Sequence, residues 1–385
     1  MRSLSDTIAR LSVYRKMSSA ADVAADAHVP ARLKEVTGFG SNPGNLILKT
    51  YVPANLPANS PLVVVLHGCT QTAAGYDYGS GWSQLADRFG FALLFPEQKR
   101  QNNPNLCFNW FVRDDIHRNG GETLSIRQMV EFACSSMNCD RQRIFVTGLS
   151  AGGAMTTALL AAYPELFAGG AIIAGLPYGC ATTVPEAFDR MRGHGIPSPE
   201  QLQALLRSAS NETGRWPKLS IWHGDADRTV VPSNANAIVD QWREAHDLNV
   251  LPERRDLGNG VTRDVYLSSD GDERIEMHLV PGMAHGTPLA PASGIGNAGP
   301  YMLNVGINST LHIAQFWGIA PVSASEQKSY PRPEPVDRPK VLNGEIILRD
   351  PLSPGEPMAP GTASASATGV RRIIEDALRK AGLMR

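Results

Sequence analysis

Cysteine is scarce in this chain: five residues, Cys69, Cys107, Cys134, Cys139 and Cys180, among 385. That excludes a disulfide scaffold. An odd count also leaves at least one thiol unpaired within the chain. No CxxC pair or adjacent histidine pair accompanies the cysteines, so no metal motif is read and a metal ion is not expected. Charge of one sign is missing too. Lys and Arg number 36 and Asp and Glu 37, for a formal net charge of -1, with no basic run. A global field for nucleic acid is therefore absent, and no nucleic-acid partner is expected. No stretch reaches the roughly 20 apolar residues that a membrane span needs, so no transmembrane segment is expected. The first residues, MRSLSDTIARLSVYRKMSS, are interrupted by Asp6, Arg10 and Arg15, which breaks the apolar run of a secretory leader. Leu4, Ile8, Leu11 and Val13 are spaced instead for a short amphipathic helix, with an address for another export route as the alternative.

What is present is a regular alternation. LILKTYVP reads as an early strand. LVVVLHG (62–68) is a continuous apolar run ending in a turn, the pattern of a strand buried on both faces. FALLFPE (91–97), RIFVTGLS (143–150), GGAIIAG (169–175) and LSIWHGD (219–225) repeat it. Between these runs lie helical stretches: SGWSQLADRFG, ETLSIRQMVEFACSSM, AGGAMTTALLAAYPELF, SPEQLQALLRSAS and VPSNANAIVDQWREAH. VTRDVYLSS and RIEMHLVPG flank Asp270-Gly271-Asp272 as a hairpin or a pair of edge strands. A last core helix is predicted over 305–318. Alternation on this scale implies an α/β fold: a mostly parallel central sheet with helices on both faces. The predicted organisation is a lead-in over 1–45, a catalytic domain over 46–320, a linker rich in Pro, Gly, Ala and Ser over 321–368, and an amphipathic helix over 369–385. That helix either docks on the domain or serves as a tethered oligomerisation or targeting element. The sequence does not fix an oligomeric state.

Gly148-Leu149-Ser150-Ala151-Gly152 matches G-x-S-x-G. The pentapeptide gains meaning from its setting, because it follows the strand RIFVT and opens the helix AGGAMTTALLAA. A turn that sharp exposes a serine hydroxyl and leaves no room beside it for side chains, which the two glycines satisfy. Serine is a weak nucleophile unless a base takes its proton. In this setting the expected chain order is Ser, then Asp or Glu, then His. His285, in PGMAHG after RIEMHLV, lies in a loop of small residues after a late strand and is the expected base. His278, within a strand pattern, and His312, within a helix, are the weaker rivals. Asp225 and Asp227 both follow LSIWHG; Asp227 is further into the loop and is the expected acid, with Asp225 expected to hold the loop. Two N–H donors should meet an oxyanion. One is the backbone N–H of Ala151 and the other the backbone N–H of Cys69, in His67-Gly68-Cys69-Thr70-Gln71. Cys69 as a nucleophile in its own right is the alternative, disfavoured because no base is apparent beside it. This chemistry calls for no cofactor.

The segments LHGCTQTAAGYDYGSGW, CFNWF, TGLSAGGAMTTALLAAYPELFAGGAIIAGLPYGCA and HGDADRTVVP give the chain, from about residue 45 to 320, a likeness beyond one motif. It resembles the catalytic domain of type 1 short-chain polyhydroxyalkanoate (PHB) depolymerases, within a wider esterase family that also holds feruloyl and acetylxylan esterases. The resemblance implies an α/β-hydrolase fold, a Ser150–Asp227–His285 triad, an oxyanion donor at Cys69 and a crevice bordered by Trp110. A plain core role is the alternative for Trp110. Secreted depolymerases of this type also carry a signal peptide and a substrate-binding domain. This sequence shows neither, which shifts the expected substrate from solid polymer toward soluble oligomers or other small esters and leaves the compartment open between cytoplasm and a different export route. A feruloyl- or acetylxylan-type esterase is the alternative activity, and an inactive hydrolase fold used for binding is a third.

Overall fold

The computed structural model describes residues 32–210, 216–248 and 250–322. The expectations for the N-terminal amphipathic helix, the Pro-rich stretch beyond 322 and the closing helix lie outside the described residues.

Ten strands form one sheet: β1 (Lys34–Val36), β2 (Ile47–Tyr51), β3 (Ser60–Leu66), β4 (Ala92–Glu97), β5 (Cys139–Leu149), β6 (Gly169–Ile173), β7 (Lys218–Gly224), β8 (Glu253–Asp256), β9 (Thr262–Leu267) and β10 (Glu273–Val280). Their spatial order is β1-β2-β4-β3-β5-β6-β7-β10-β9-β8. The run from β4 to β10 is parallel, and antiparallel strands complete each side. The expected hairpin β9–β10 exists, but β10 also pairs in parallel with β7. It is therefore an interior strand, which explains why Ile275 and Val280 are buried. The outermost strand, β8, reads Glu-Arg-Arg-Asp, and Arg254 makes a bidentate pair with Asp264 at 2.7 and 2.6 Å. Charge of that density protects a sheet edge from pairing with another chain.

Among the described residues the α-helices are α1 (Ala73–Ser80), α2 (Trp82–Phe89), α3 (Arg113–Ile116), α4 (Gly121–Met137), α5 (Ala151–Ala162), α6 (Val184–Met191), α7 (Pro199–Ala209), α8 (Ser233–Arg243) and α9 (Ser309–Phe316). Period-two alternation along β3 divides the core. Leu62, Val64 and Leu66 pack with Met129, Leu159 and Ile238 from α4, α5 and α8 on one face. Val63 and Val65 pack with Leu85 of α2 and Ile313 of α9 on the other. Helices therefore cover both faces, as the alternation requires. Helix α7 begins with a capping box between Ser198 and Gln201, and α2 stops at Gly90, whose φ of 70° is the left-handed cap. The predicted helix over 305–318 is shorter, because Asn308 caps it by accepting from the Leu311 N–H. Helices α1, α3 and α6 and strands β1, β8, β11 (Thr287–Leu289) and β12 (Met302–Asn304) are additions to the predicted set. Each is short, and all four residues of β8 are charged, so periodicity has little to act on. No helix among the described residues is long and apolar enough to cross a membrane.

Candidate active site

The parallel strands end along one edge. In register, Leu149 lies beside Ile173, Ile173 beside Trp222, and Trp222 beside His278. Residues just beyond β5, β7 and β10 therefore share that edge, and these are Ser150, Asp227 and the His285 loop.

Ser150 has φ 57° and ψ −115°, a conformation that a side chain adopts only at a cost of about 1–3 kcal/mol. Packing enforces it. A Cβ at Gly148 would sit 2.4 Å from the carbonyl of Gly152, and one at Gly152 would sit 2.5 Å from the His67 carbonyl oxygen and 2.6 Å from that of Leu66. The glycines let α5 lie directly against the ends of β3 and β5. The Ser150 N–H donates to the Ile173 carbonyl at 2.9 Å, which ties the turn to β6. Ser150 precedes the first residue of α5, so the hydroxyl stands at the positive end of a helix all of whose residues are buried.

His285 Nδ1 lies 2.7 Å from Asp227 Oδ2. The other Asp227 oxygen, Oδ1, accepts from the Thr229 N–H at 2.8 Å and the Val230 N–H at 3.0 Å. His223 Nε2 bonds the Val230 carbonyl at 2.8 Å and lies 3.5 Å from Asp227 Oδ2. Burial of Asp227 alone would raise its pKa. Hydrogen bonds from His223 and His285, the positive potential of His285 and the Val230 N–H outweigh that and hold it well below the usual carboxylate range. Asp225 does something different: its Oδ1 accepts the Gly282 N–H at 2.6 Å. Together with Ala226 N–H to the Met283 carbonyl at 3.2 Å, it fastens the His285 loop to the loop after β7. The ring of Tyr301 meets the His285 ring edge to face at 6.3 Å.

The rival histidines are elsewhere. His278 is buried in β10, stacked on Trp222 with ring centroids 3.7 Å apart, and its Nε2 lies 3.3 Å from Glu276. Burial lowers its pKa against the opposing pull of Glu276. His312 lies within α9, its ring 5.9 Å from that of Trp222.

Cys69 is disulfide-bonded to Cys107, so its side chain is not a free thiol. Its loop is fixed at several points. The Gly68 N–H donates to Gln71 Oε1 at 2.8 Å, and the Thr70 N–H, at a residue with φ 65°, donates to the Asn105 carbonyl at 2.7 Å. Ala151, as the first residue of α5, has an N–H with no acceptor inside its helix. Cys69, Ser150, Ala151 and Trp110 line one apolar cleft together with Leu176 and with Val184, Phe188 and Met191 of α6. Trp110 is 6% exposed and packs edge to face on Phe111, so it is both a core aromatic and a wall of the cleft.

Two features escaped the sequence. Helix α6 comes from the insertion between β6 and β7, where only SPEQLQALLRSAS is expected to be helical. The second is a buried polar network behind the cleft. Glu122 Oε1 accepts from Gln98 Nε2 at 2.5 Å and Glu122 Oε2 accepts the Asn109 N–H at 2.9 Å. Its signal was available: Glu122 stands four residues before Ile126, on the apolar face of α4.

A parallel-centred sheet, a strained serine between a strand and a buried helix, and a histidine–aspartate pair at the same edge are the architecture of the α/β-hydrolase fold. Known proteins narrow the class. The family model described as esterase PHB depolymerase matches residues 47–257, and the chain belongs to that family. It is 46% identical over 291 residues to poly(3-hydroxyalkanoate) depolymerase C of Paucimonas lemoignei, across 74% of this chain and 70% of that protein. It is 36% identical over 263 residues to acetylxylan esterase A of Emericella nidulans, across 66% of this chain and 85% of that one. Among solved structures, the acetyl xylan esterase from Aspergillus awamori shares the fold with a TM-score of 0.64 at 26% identity, covering 75% of this chain and 99% of its own.

Proposed function

We propose that residues 46–320 form a catalytic domain that hydrolyses the ester bonds of short-chain polyhydroxyalkanoate, poly-3-hydroxybutyrate or its oligomers, through an acyl-enzyme. The observation that carries this reading is the strained Ser150 opening into an apolar cleft, at the edge that also holds the His285–Asp227 pair. Ser150 Oγ attacks the ester carbonyl while His285 Nε2 takes its proton and passes it to the leaving alkoxide. Asp227 keeps the imidazole proton on Nδ1 and stabilises the imidazolium. The Ala151 and Cys69 N–H groups face the oxyanion. Water then attacks the acyl-enzyme by the same path in reverse.

The cleft walls supply the substrate argument. Trp110, Leu176, Phe188 and Met191 are apolar and suit an aliphatic hydroxyacyl unit, whereas a sugar would need polar partners. The relative from Paucimonas lemoignei carries the same substrate class in its name. Acetylxylan hydrolysis is the second reading, favoured by the structural match along nearly the whole Aspergillus awamori enzyme. Wild-type protein should release hydroxybutyrate from its oligomers faster than acetate from acetylated xylan; the reverse order would select the second reading. The Ser150→Ala variant should fold normally and turn over no p-nitrophenyl ester. Full activity in that variant would overturn the proposal.

A further inference from the structure

His67 lies one residue before Gly68, and neither ring nitrogen faces solvent or substrate. His67 Nε2 receives the Gln98 N–H at 3.1 Å. A backbone N–H can only donate, so Nε2 must be the unprotonated nitrogen of a neutral ring. The proton therefore sits on Nδ1, which lies 2.7 Å from the Gly68 carbonyl oxygen. That carbonyl belongs to the same peptide unit as the Cys69 N–H. The geometry points to His67 as a positioning residue for the oxyanion donor: its Nδ1–H holds the Gly68–Cys69 peptide plane and polarises it, so that the Cys69 N–H is aimed and strengthened before substrate arrives. The inference rests on the Ser150 and Cys69 roles proposed above.

The physical reason is the conjugation of the peptide group. A hydrogen bond accepted by its oxygen draws electron density from the nitrogen and makes the N–H a better donor. The support behind His67 is built from buried groups. Gln98 is anchored by its Nε2, which donates to Glu122 at 2.5 Å and to the Cys107 carbonyl at 3.1 Å. Cys107 is in turn joined covalently to Cys69. The donor peptide is thus gripped from both sides, at its carbonyl by His67 and at its side chain by the disulfide. His67 is fully buried, with its ring against that of Phe108 at 4.9 Å.

Three substitutions separate the two ring nitrogens. Asn can present a donor where Nδ1 stands, Gln an acceptor where Nε2 stands, and Leu neither. With a p-nitrophenyl ester, His67→Gln and His67→Leu should lose about tenfold or more in kcat with little change in KM, against the 10²–10³ typical of losing an oxyanion donor outright. His67→Asn should recover most of that loss. Affinity for an alkyl boronic acid, which mimics the tetrahedral state on Ser150, should fall in parallel with kcat. Wild-type kcat and boronate affinity in folded His67→Gln would overturn the inference, as would equal losses in the Asn and Gln variants. Nitrogen-15 histidine spectra of the wild-type enzyme test it without a variant: His67 should be the neutral Nδ1–H tautomer, and an Nε2–H tautomer would refute it. Activity in Ser150→Ala would instead bring down the site reading itself, so the two failures are distinguishable.

Discussion

Replacing Asp227 by Asn probes the site through a single proton. The carboxylate is held by different partners on its two oxygens. Oδ1 accepts two backbone N–H groups, from Thr229 and Val230, while Oδ2 faces His285 Nδ1. An Asn side chain must choose which atom goes where. Turning its NH2 toward Thr229 and Val230 would set donor against donor twice in a buried place, at about 1–3 kcal/mol for each unsatisfied group. The amide oxygen will therefore take the Oδ1 position and the NH2 will point at His285. His285 Nδ1 then has to accept, its proton moves to Nε2, and the nitrogen that should receive the Ser150 proton is blocked. In serine proteases the equivalent inversion costs about 10⁴ in kcat, which is about 5.5 kcal/mol of barrier. Asp227→Asn should show a kcat loss of that order on a p-nitrophenyl ester at neutral pH and correspondingly slow labelling of Ser150 by a fluorophosphonate. Retention of more than about a tenth of wild-type kcat, in protein that melts as a cooperative fold, would refute the argument that the two backbone donors dictate the tautomer.

Two further outcomes follow from Glu122 and from the Cys69–Cys107 disulfide. Burial, with help from the charge of Asp115, pushes the Glu122 carboxyl from its ordinary 4.5 up to about 8 against hydrogen bonds from Asn109 and Gln98. With the folded value raised, the stabilisation is complete below the unfolded value and is lost as pH rises through about 8. Urea midpoints of wild type should therefore fall across that window, Glu122→Gln should flatten the fall, and parallel curves would count against the raised carboxyl. For the Cys69–Cys107 bond, a separation of 38 residues corresponds to about 4 kcal/mol of chain entropy removed from the unfolded state. The Cys69→Ser/Cys107→Ser double variant should lose denaturant resistance on that scale and also lose kcat as the donor loop slackens; an unchanged midpoint and an unchanged kcat would argue against both roles.

Much of the scaffold was readable from residue order because its signals are local. LVVVL, IFV and AII are unbroken apolar runs within β3, β5 and β6, the look of strands buried on both faces. The elbow was readable because Gly148 and Gly152 answer a steric demand within five residues. The Asp227–His285 pair, 58 residues apart in the chain, could be singled out only through the order in which such loops follow their strands. What did not show was anything assembled from distant, unremarkable residues. The partner of Cys69 was undetermined among the cysteines. His67, Gln98 and Glu122 make a network only after β3, β4 and α4 are side by side. The place of β10 inside the sheet, not at its edge, depends on pairing with β7, which no hairpin signal encodes.

Every residue of α5 is buried, while α6 keeps only Ala187 buried and leaves Val184 43% exposed. The proposed nucleophile, at the head of α5, and the cleft wall thus belong to regions of unequal permanence. Backbone amides of α5 should exchange with solvent only through global opening, and those of α6 through local excursions. Evolution can therefore rewrite the wall that meets the substrate without loosening the helix that carries the serine. A family whose members are named for polyesters and for xylan acetates is what such a division of tolerance would produce.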